Sequence, residues 1–544
     1  MEKIKQKFNS DHLLYIIAGI SFLLILTRYI FEYANMNTMF TDPASQIVQM
    51  FEMHRTGMIF PPNWYDSTEI HLLTYLMYPI SFVVKNGIVV RNIAEAICAV
   101  VLLILIIRLM KTLFRSRSWL IVVPIIFSNL FPGFFTRYFF AYGDYLQSLF
   151  CVLAAFILLF AMTDEYLNIR KGKYTVLLIV LYMISVCCST AIGMQGWSGL
   201  IVPLCGGIVL LYYVLYVKGD DHFQKGIRNA AVLIVMTGAA GVAGTVLHKT
   251  VVEHLMHISG LGGAVLFAAE DVFLNVPSVI YDGIFEYILG IQPGFSFFSP
   301  TGIQTWVRVF AFCFLFIVIP YKVWKEKSDD LKVVLYKYFC MVSLLIILLI
   351  ALFSQAFYYP TTIRYFIFPY FFIILLDGDY IYRHYFENHR GKWIHGFVLL
   401  ISMLVVNANL ILPLNYRKAY LEDMENKKGL VNYLKEQDLT FGFAQFTQAN
   451  KNTALANGEV QVNSVMLGGN YVNKHYWLSS SDWYEPDYHT GETFLLVYSG
   501  DAERYEELLS AADDMPLKDK TSRILQYEDY DIWVFDYNVV SDFR

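Results

Sequence analysis

The chain has 544 residues, of which 56% are hydrophobic and 16% are charged, and its formal net charge is −5. Because soluble globular proteins carry about 25% charged residues, this composition excludes an ordinary soluble enzyme. The acidic balance argues against a nucleic-acid partner. All seven cysteines lie in or beside apolar runs, which argues against a disulfide framework or a Cys-based zinc site.

Apolar runs long enough to cross a bilayer recur over the first 412 residues. A helix needs about 20 apolar residues to span the hydrocarbon. We predict eleven spans, at 12–31, 88–107, 119–131, 145–162, 174–189, 198–217, 229–248, 303–320, 339–354, 365–379 and 393–411. The first run is followed by further spans and has no small-residue cleavage site, so we expect an anchor rather than a cleaved signal peptide.

The distribution of Lys and Arg predicts the orientation. The segments on the side of the N-terminus hold 21 of these residues, and the opposite loops hold five. The positive-inside rule therefore places the N-terminus in the cytoplasm of a multi-pass plasma-membrane protein. An odd number of spans then places the C-terminus outside.

Two of the predicted outside loops are long, at 32–87 and 249–302, whereas every cytoplasmic loop is short. Because long loops in compact domains are usually functional, we expect the chemistry on the outer side. The interiors of the spans carry almost no charge, with Glu95 as the main exception.

The composition changes near residue 413. Residues 412–544 carry 12 Lys and Arg against 22 Asp and Glu. Helical patterns ("KKGLVNYLKEQ", "DAERYEELLSAA") alternate with strand patterns ("LTFGFAQF", "GEVQVNSVML", "ETFLLVYSG", "YDIWVFDY"), and Asp501 is placed to cap the second helix. We therefore predict a transmembrane domain over 1–412 and a small extracytoplasmic α/β domain over 413–544.

The first outside loop contains "DPASQIVQMFEMHRTG", beginning at Asp42. Asp42 fits a helix N-cap and Pro43 fits the first helical position, and such a cap is worth about 1 kcal/mol. The second interpretation is a working carboxylate held rigidly at the helix N-terminus. The apolar stripe that includes Ile47 and Phe51 predicts a short helix lying in the membrane interface.

The same loop continues with "IFPPNWYDSTEIHLLTYLMYPISFVV". Trp64 and Tyr65 are candidate lipid or sugar contacts. Glu69 is either an acidic residue in the first turn of a second helix, capped by Ser67 or Thr68, or a partner of Asp42. A lone His such as His71 is more often a packed residue than a ligand.

The second outside loop ends in "TRYFFAYGDYLQSLF", with Arg137, Tyr142 and Asp144. Asp144 is placed to cap the fourth span. A charge at the membrane border is costly, so Asp144 is also a functional candidate.

Two further cations face the outer side. Arg364 in "TIRYFIFPY", followed by Tyr365, either reaches lipid phosphate or binds a ligand phosphate through paired hydrogen bonds. Lys249 begins the fourth outside loop and is a weaker candidate for the same role. The His254 and His257 pair in that loop lacks a third metal ligand.

Taken together, these features resemble the GT-C superfamily of membrane glycosyltransferases, in particular the bacterial glycosyltransferase-39 branch. That branch is similar to protein O-mannosyltransferases and lipid A aminoarabinose transferases. The resemblance rests on Asp42 after the first span, on Asp144 in "YGDY", on "RYFIFPY" from Arg364 to Tyr370, and on the tail. The family has an Asp-Glu pair, and here Pro43 stands in place of the second acid.

The resemblance implies an inverting hexosyltransferase that uses a polyprenyl-phosphate sugar donor and a glycan, lipid or protein acceptor. Asp42 would be the base, with Asp144 and Glu69 as partners. Arg364, Arg137 and Lys249 would hold the donor phosphate, and Trp64, Tyr65, Tyr142 and Tyr365 would contact lipid or sugar. A divalent metal (Mg²⁺ or Mn²⁺) could neutralise the leaving phosphate, and its ligands are unknown.

Three alternatives stay open. A transporter or flippase of a lipid-linked saccharide would carry ionisable residues inside its spans. A polysaccharide polymerase would use a diphosphate-linked donor. A non-enzymatic surface assembly protein would use the acidic tail to bind partners.

Overall fold

The computed structural model describes residues 10–28, 41–67, 70–127, 130–131, 144–193, 195–258, 276–289, 291, 296, 298–353, 366–387, 428–468, 471–498 and 517–544. The chain is a polytopic helical membrane protein with a small mixed sheet near its C-terminus. Six of the described helices are long and apolar enough to cross a membrane. They are Gly87–Leu113, Thr175–Ile192, Trp197–Val217, Gly226–Met256, Gly302–Lys325 and Leu331–Phe353.

The elements of the first part follow in chain order. They are α1 (Ser10–Arg28), α2 (Thr41–Thr56), β1 (Trp64–Tyr65), α3 (Leu72–Ser81), α4 (Gly87–Leu113), α5 (Trp119–Ile126), α6 (Asp144–Met162), α7 (Thr175–Ile192), α8 (Val202–Val217), α9 (Asp221–Leu247) and α10 (Glu253–Met256). After these come α11 (Pro300–Cys313), α12 (Ile319–Lys325), α13 (Leu331–Phe353) and α14 (Ile367–Ile381). Short π-helical stretches join several of them, at Trp197–Ile201, His248–Val252, Val279–Ile288, Phe314–Val318 and Tyr382–Glu387.

Most of the predicted spans coincide with helices of the structure, but two differ from them in length. Ten of the eleven predicted ranges fall on a described helix, and 393–411 lies outside the described residues. The third is wrong in length, because α5 ends at Ile126 and contains Pro124, which cannot donate a helical hydrogen bond. The seventh extends two turns further than predicted, so Lys249 lies within a helix rather than in a loop.

The second part, which we call the sheet unit, comprises the described residues from 428 to 544. Its elements are a helix over 428–436, β2 (Phe441–Gln445), α15 (Phe446–Leu455), β3 (Gln461–Gly468), β4 (Tyr471–Lys474), β5 (Ser479–Ser480), β6 (Thr493–Tyr498), β7 (Arg523–Tyr527) and β8 (Tyr530–Phe535). The order is β4-β3-β2-β6-β8-β7, with β2 parallel to both neighbours and the other pairs antiparallel. The predicted "DAERYEELLSAA" helix lies outside the described residues.

Alternating residues on β2 send side chains to two cores. Phe441 and Phe443 pack on one face, and Ala444 packs on the other face beneath α15. This alternation is the period of two that a strand imposes. Gly442 lies between them, and a Cβ there would come 2.5 Å from the Phe494 ring, so glycine allows β6 to approach.

The sheet unit docks on the first predicted outer loop. Helix α15 packs against α2, with Ala454 in the same apolar cluster as Ala44 and Ile47. Asn457 fixes the edge of this contact, because its Oδ1 accepts from Gly87 N at 2.8 Å. The stripe on α2 is therefore buried between two protein layers, and the prediction of a helix lying in the lipid interface was wrong.

Candidate functional site

Residues 66–67 and 70–72 contact three other parts of the chain on the side of the membrane helices that carries the sheet unit, which we call the sheet side. The amide of Asp66 donates to Met256 O at 3.3 Å, and the amide of Ile70 donates to Ile192 O at 3.0 Å. The amide of Leu72 donates to Gln147 Oε1 on α6 at 2.6 Å. We call this segment the hub, because chain pieces far apart in sequence meet there.

A buried side-chain network extends from the hub to α2. Asp66 has no exposed surface and His71 is 4% exposed. Gln49 Nε2 donates to Asp66 Oδ2 at 3.0 Å, and Ser67 Oγ lies 2.9 Å from His71 Nε2. Gln46 Nε2 reaches His71 Nδ1 at 3.4 Å. Asp66 Oδ1 is 3.5 Å from His71 Nε2, so a carboxylate and an imidazole are held together out of solvent.

A buried ion pair continues the network into α4. Arg91 Nη1 lies 2.5 Å from Glu95 Oε1, and neither side chain is more than 2% exposed. Arg91 Nε also donates to Gln46 Oε1 at 3.3 Å. Gln46 therefore connects the imidazole of the hub to the ion pair of a membrane span. Buried charges of this kind persist only when they are paired and hydrogen-bonded.

Two of the predicted carboxylates belong to helices that contribute to this network. Helix α2 begins at Thr41, so Asp42 is in its first turn and its position is one turn before Gln46. Asp144 is the first residue of α6, and its position is one turn before Gln147. The side chains of both lie outside the described residues, as does Glu69. Helix α3 begins at Leu72, so the prediction that Glu69 occupies its first turn was wrong.

The predicted phosphate-binding cations are only partly described. Arg364 and Arg137 lie outside the described residues. Lys249 is exposed and makes no ion pair with any described residue. The predicted contacts Tyr142 and Tyr365 also lie outside the described part of the chain.

Trp64 and Tyr65 form β1, which pairs with β5 of the sheet unit. Trp64 is 1% exposed, so contact with lipid or sugar would require this pairing to open. Tyr65 stacks on His257 with 5.4 Å between ring centroids and lies 5.2 Å from the Tyr476 ring.

The prediction of nearly charge-free span interiors was wrong at two further positions. Arg308 lies in α11, two turns from its start, with Nη1 3.4 Å from Leu289 O. Asp377 in α14 has no exposed surface, and neither carboxylate oxygen has a hydrogen-bond partner among the described residues. Both could have been found in the sequence as ionisable residues within or beside apolar runs.

Arg308 has an aromatic setting. Phe312, one turn further on α11, packs edge-on against Phe131 at 5.9 Å. Phe131 also packs on Tyr370 of α14, which follows the stretch that contains Arg364. Arg308 lies about two turns from the start of α11, which the predicted topology places nearer the outer side.

Among the described residues, no group of three or more His, Cys, Asp or Glu side chains could hold a metal ion. The described network therefore gives no ligand set for the predicted Mg²⁺ or Mn²⁺.

An apolar cavity of about 440 Å³ lies between α1 and α4. It is lined by Leu26 of α1 and by one face of α4 from Val89 to Val101, with Asn92 as its one polar lining residue in the described part of the chain. Arg91 and Glu95 are not among its lining residues, so the cavity lies along a different face of α4 from the ion pair.

No family model matches the chain, and no curated protein matches it. A similar solved structure is the archaeal oligosaccharyltransferase AglB from Archaeoglobus fulgidus, in complex with an inhibitory peptide and a dolichol-phosphate. The identity is 10%, the alignment covers 93% of this chain and 72% of that chain, and the TM-score is 0.45. A similarity at this level assigns neither fold nor function by itself.

Proposed function

We propose that the chain is an inverting GT-C-like glycosyltransferase, of the glycosyltransferase-39 type, that takes its sugar from a polyprenyl-phosphate donor at the sheet side. The observation that carries this proposal is the hub, where contacts from four helices (α2, α6, α7 and α10) bring buried polar groups together at one end of the membrane helices. Catalytic groups need this kind of rigid placement by several elements.

The reaction requires a base near the acceptor oxygen. In the proposed step, an acceptor hydroxyl attacks the anomeric carbon, the bond from that carbon to the phosphate oxygen breaks, and polyprenyl phosphate leaves. Asp42 accepts the hydroxyl proton as a general base. General-base catalysis of this kind accelerates a reaction roughly 10²–10⁴-fold. Asp144 and Glu69 orient the acceptor, and Asp66 and His71 hold this layer of α2 in place through Gln46 and Gln49.

The donor requires a cation and an apolar channel. Arg364, Arg137 and Lys249 are the cations that we propose from the sequence, and Arg308 is the one that we add from the structure. A guanidinium matches a phosphate with two parallel hydrogen bonds. The cavity along α4 provides apolar surface for part of an isoprenoid chain.

We also propose the membrane topology that the sequence predicts. Eleven spans would place the N-terminus in the cytoplasm and the sheet unit outside, with the domain boundary near residue 413. A polymerase that uses a diphosphate-linked donor would need the same base and the same cations.

Asp377 favours a second candidate, a transporter or flippase of a lipid-linked saccharide. A carboxylate inside a span that lacks a partner among the described residues marks a proton or ligand path in many transporters. Transport into proteoliposomes that is lost in Asp377→Asn and kept in Asp42→Asn would favour this candidate.

The test uses the purified protein in nanodiscs with radiolabelled polyprenyl-phosphate sugars, and it measures release of the lipid phosphate. We expect Asp42→Asn to reduce release by at least 10²-fold while the protein keeps its unfolding temperature, because only the proton acceptor is lost. Asp221→Asn, a carboxylate in the first turn of α9, is the matched control and should leave release unchanged. Near-normal release from Asp42→Asn would refute the proposed base.

A further inference from the structure

The contact between β1 and the sheet unit contains buried polar atoms that the fold does not use. We call this contact the seam, and it comprises Trp64, residues 477–483 and the first two turns of α15. Trp64 pairs with Ser480 across the two-residue ladder. The Trp64 and Trp483 rings meet edge to face, with 5.7 Å between centroids.

Five polar atoms of the seam are buried and have no hydrogen-bond partner among the described residues. They are Nε1 of Trp64, Trp477 and Trp483, Oγ of Ser480 and Oδ1 of Asn450. Leaving such a group unpaired costs about 1–3 kcal/mol, and native proteins have only a few per 100 residues. Five in one contact therefore point to a ligand that supplies the partners.

These atoms share one locality. Asn450 Nδ2 donates to Leu478 O at 3.0 Å, which joins α15 to the segment before β5. The Trp477 ring packs on Phe446 at the start of the same helix, with 6.0 Å between centroids. Trp477, Ser480 and Trp483 follow one another at intervals of three residues, and Trp64 closes the group from the other side.

The chemistry of the group selects the class of ligand. Three indole N–H groups donate, the hydroxyl does both, and the amide oxygen accepts. Indole rings also offer apolar faces. A small anion is disfavoured, because residues 412–544 carry ten more acidic than basic residues. We propose that the seam binds a neutral, hydroxyl-rich carbohydrate, which, on the proposed function, gives the acceptor its chemical class.

Entry of a sugar requires β1 and β5 to separate, since Trp64 and Trp483 are 1% and 3% exposed. The ladder has two residue pairs, and the adjacent Arg55–Asp482 ion pair, at 2.6 Å, is 40% and 29% exposed. Exposed ion pairs contribute about 0–1 kcal/mol. Asn63 adds two hydrogen bonds, because its carbonyl accepts from Ser481 N at 2.8 Å and its side-chain amide donates to Asp482. Opening the seam breaks this small set of polar contacts, whereas the packing of α2 against α15 keeps the sheet unit in place.

Saturation-transfer NMR on the full-length protein in nanodiscs tests the inference, with cellotetraose, maltotetraose, mannotetraose and chitotetraose as probes. At least one probe should receive saturation from the protein. Replacing both Trp64 and Trp483 by Phe keeps two aromatic rings and removes two N–H donors, so affinity should fall at least tenfold. Trp533→Phe is the matched control, because its buried Nε1 also lacks a partner but lies on β8, and it should bind as the wild type does.

A reversible lock gives a second measurement. Tyr65 and Ser479 are directly opposed, and opposed antiparallel residues have Cα atoms about 4.5–5.5 Å apart, which a disulfide can bridge. The double variant Tyr65→Cys/Ser479→Cys should lose binding when oxidised and regain it with reductant. Absence of saturation transfer from all four probes, or equal binding by the locked and reduced forms, overturns the inference.

Binding and transfer are separable. Asp42→Asn should keep carbohydrate binding while losing transfer. Transfer without seam binding would remove this inference alone, and seam binding without transfer by the wild type would remove the proposed function alone.

Discussion

Both ends of the membrane helices carry buried charge, but the two ends use it differently. On the side opposite the sheet unit, Arg383 donates to Glu326 at 2.7 and 3.1 Å and to Asp379 at 2.7 Å. Ser116 Oγ donates to Asp379 at 2.9 Å, so each of these three charges has a near partner. Asp377, two residues earlier on α14, is the exception, since its carboxylate has no partner among the described residues. Burial alone would raise the pKa of Glu326, but the hydrogen bonds and charge of Arg383, together with the nearby His384 and Lys337, outweigh burial and lower that pKa.

On the sheet side, charge and hydrogen-bonding capacity are less fully matched within the described residues. Arg308 donates to a backbone carbonyl while its Nε has no partner among the described residues, and the seam holds unpaired N–H groups. We therefore expect Arg383 to fasten helices together and Arg308 to hold a ligand. Substitutions at these two arginines should separate stability from function.

The largest expected effect is on stability, at the Arg91–Glu95 pair. Arg91→Met leaves the Glu95 carboxylate in a span without its guanidinium, which should destabilise the protein by about 3–5 kcal/mol. Thermal unfolding in detergent measures this. The double variant Arg91→Met/Glu95→Gln removes both charges and should recover most of the loss; equal instability of the single and double variants would contradict the role of charge.

The next effect concerns the two arginines that define the comparison. Arg308→Gln should weaken donor affinity about 10–100-fold, because a hydrogen bond to a charged group contributes about 1.5–3 kcal/mol. Its unfolding temperature should stay near that of the wild type. Titration with polyprenyl phosphate measures the affinity.

Arg383→Gln is the counterpart on the opposite side. It should lower the unfolding temperature, because Glu326 and Asp379 lose their shared cation, while donor affinity stays unchanged. If Arg383→Gln weakened donor binding and Arg308→Gln did not, the assignment of the two ends would be reversed.

The smallest effect is a pH dependence within the sheet unit. Burial lowers the pKa of His475, whose Nδ1 lies 2.7 Å from Ser464 Oγ. The folded state therefore favours the neutral imidazole. Its stabilising contribution is fully present above the ordinary pKa of about 6.5 and is lost as the pH falls through the lower folded value. Unfolding temperature between pH 7.5 and 5 should fall less in His475→Gln than in the wild type, and parallel curves would contradict this.

Local patterns predicted most elements correctly. The strands β2, β3, β6 and β8 fall where the strand patterns predicted them. A strand that buries one face alternates apolar and polar residues, and a strand that buries both faces is a short apolar run between turn residues. Helix α2 begins beside Asp42 and Pro43 for an equally local reason.

The errors arose where one part of the chain covers another. Helix α2 has the composition of an interfacial helix, and nothing in its own residues shows that α15 lies on it. The sequence predicted Trp64 as a ligand contact, but in the structure it pairs with Ser480, more than 400 positions later. In the sequence, His71 is a lone histidine. In the folded structure, Gln46 and Ser67 lie at its two ring nitrogens.

By itself, the sequence determined that this is a membrane protein with a small α/β unit after its helices, since hydropathy and short-range periodicity are properties of neighbouring residues. It also marked the first-turn carboxylates at 42 and 144. Only the tertiary structure decided which polar groups share a site, because the hub and the seam are built from contacts between segments far apart along the chain. Such contacts depend on packing and leave no local pattern to detect.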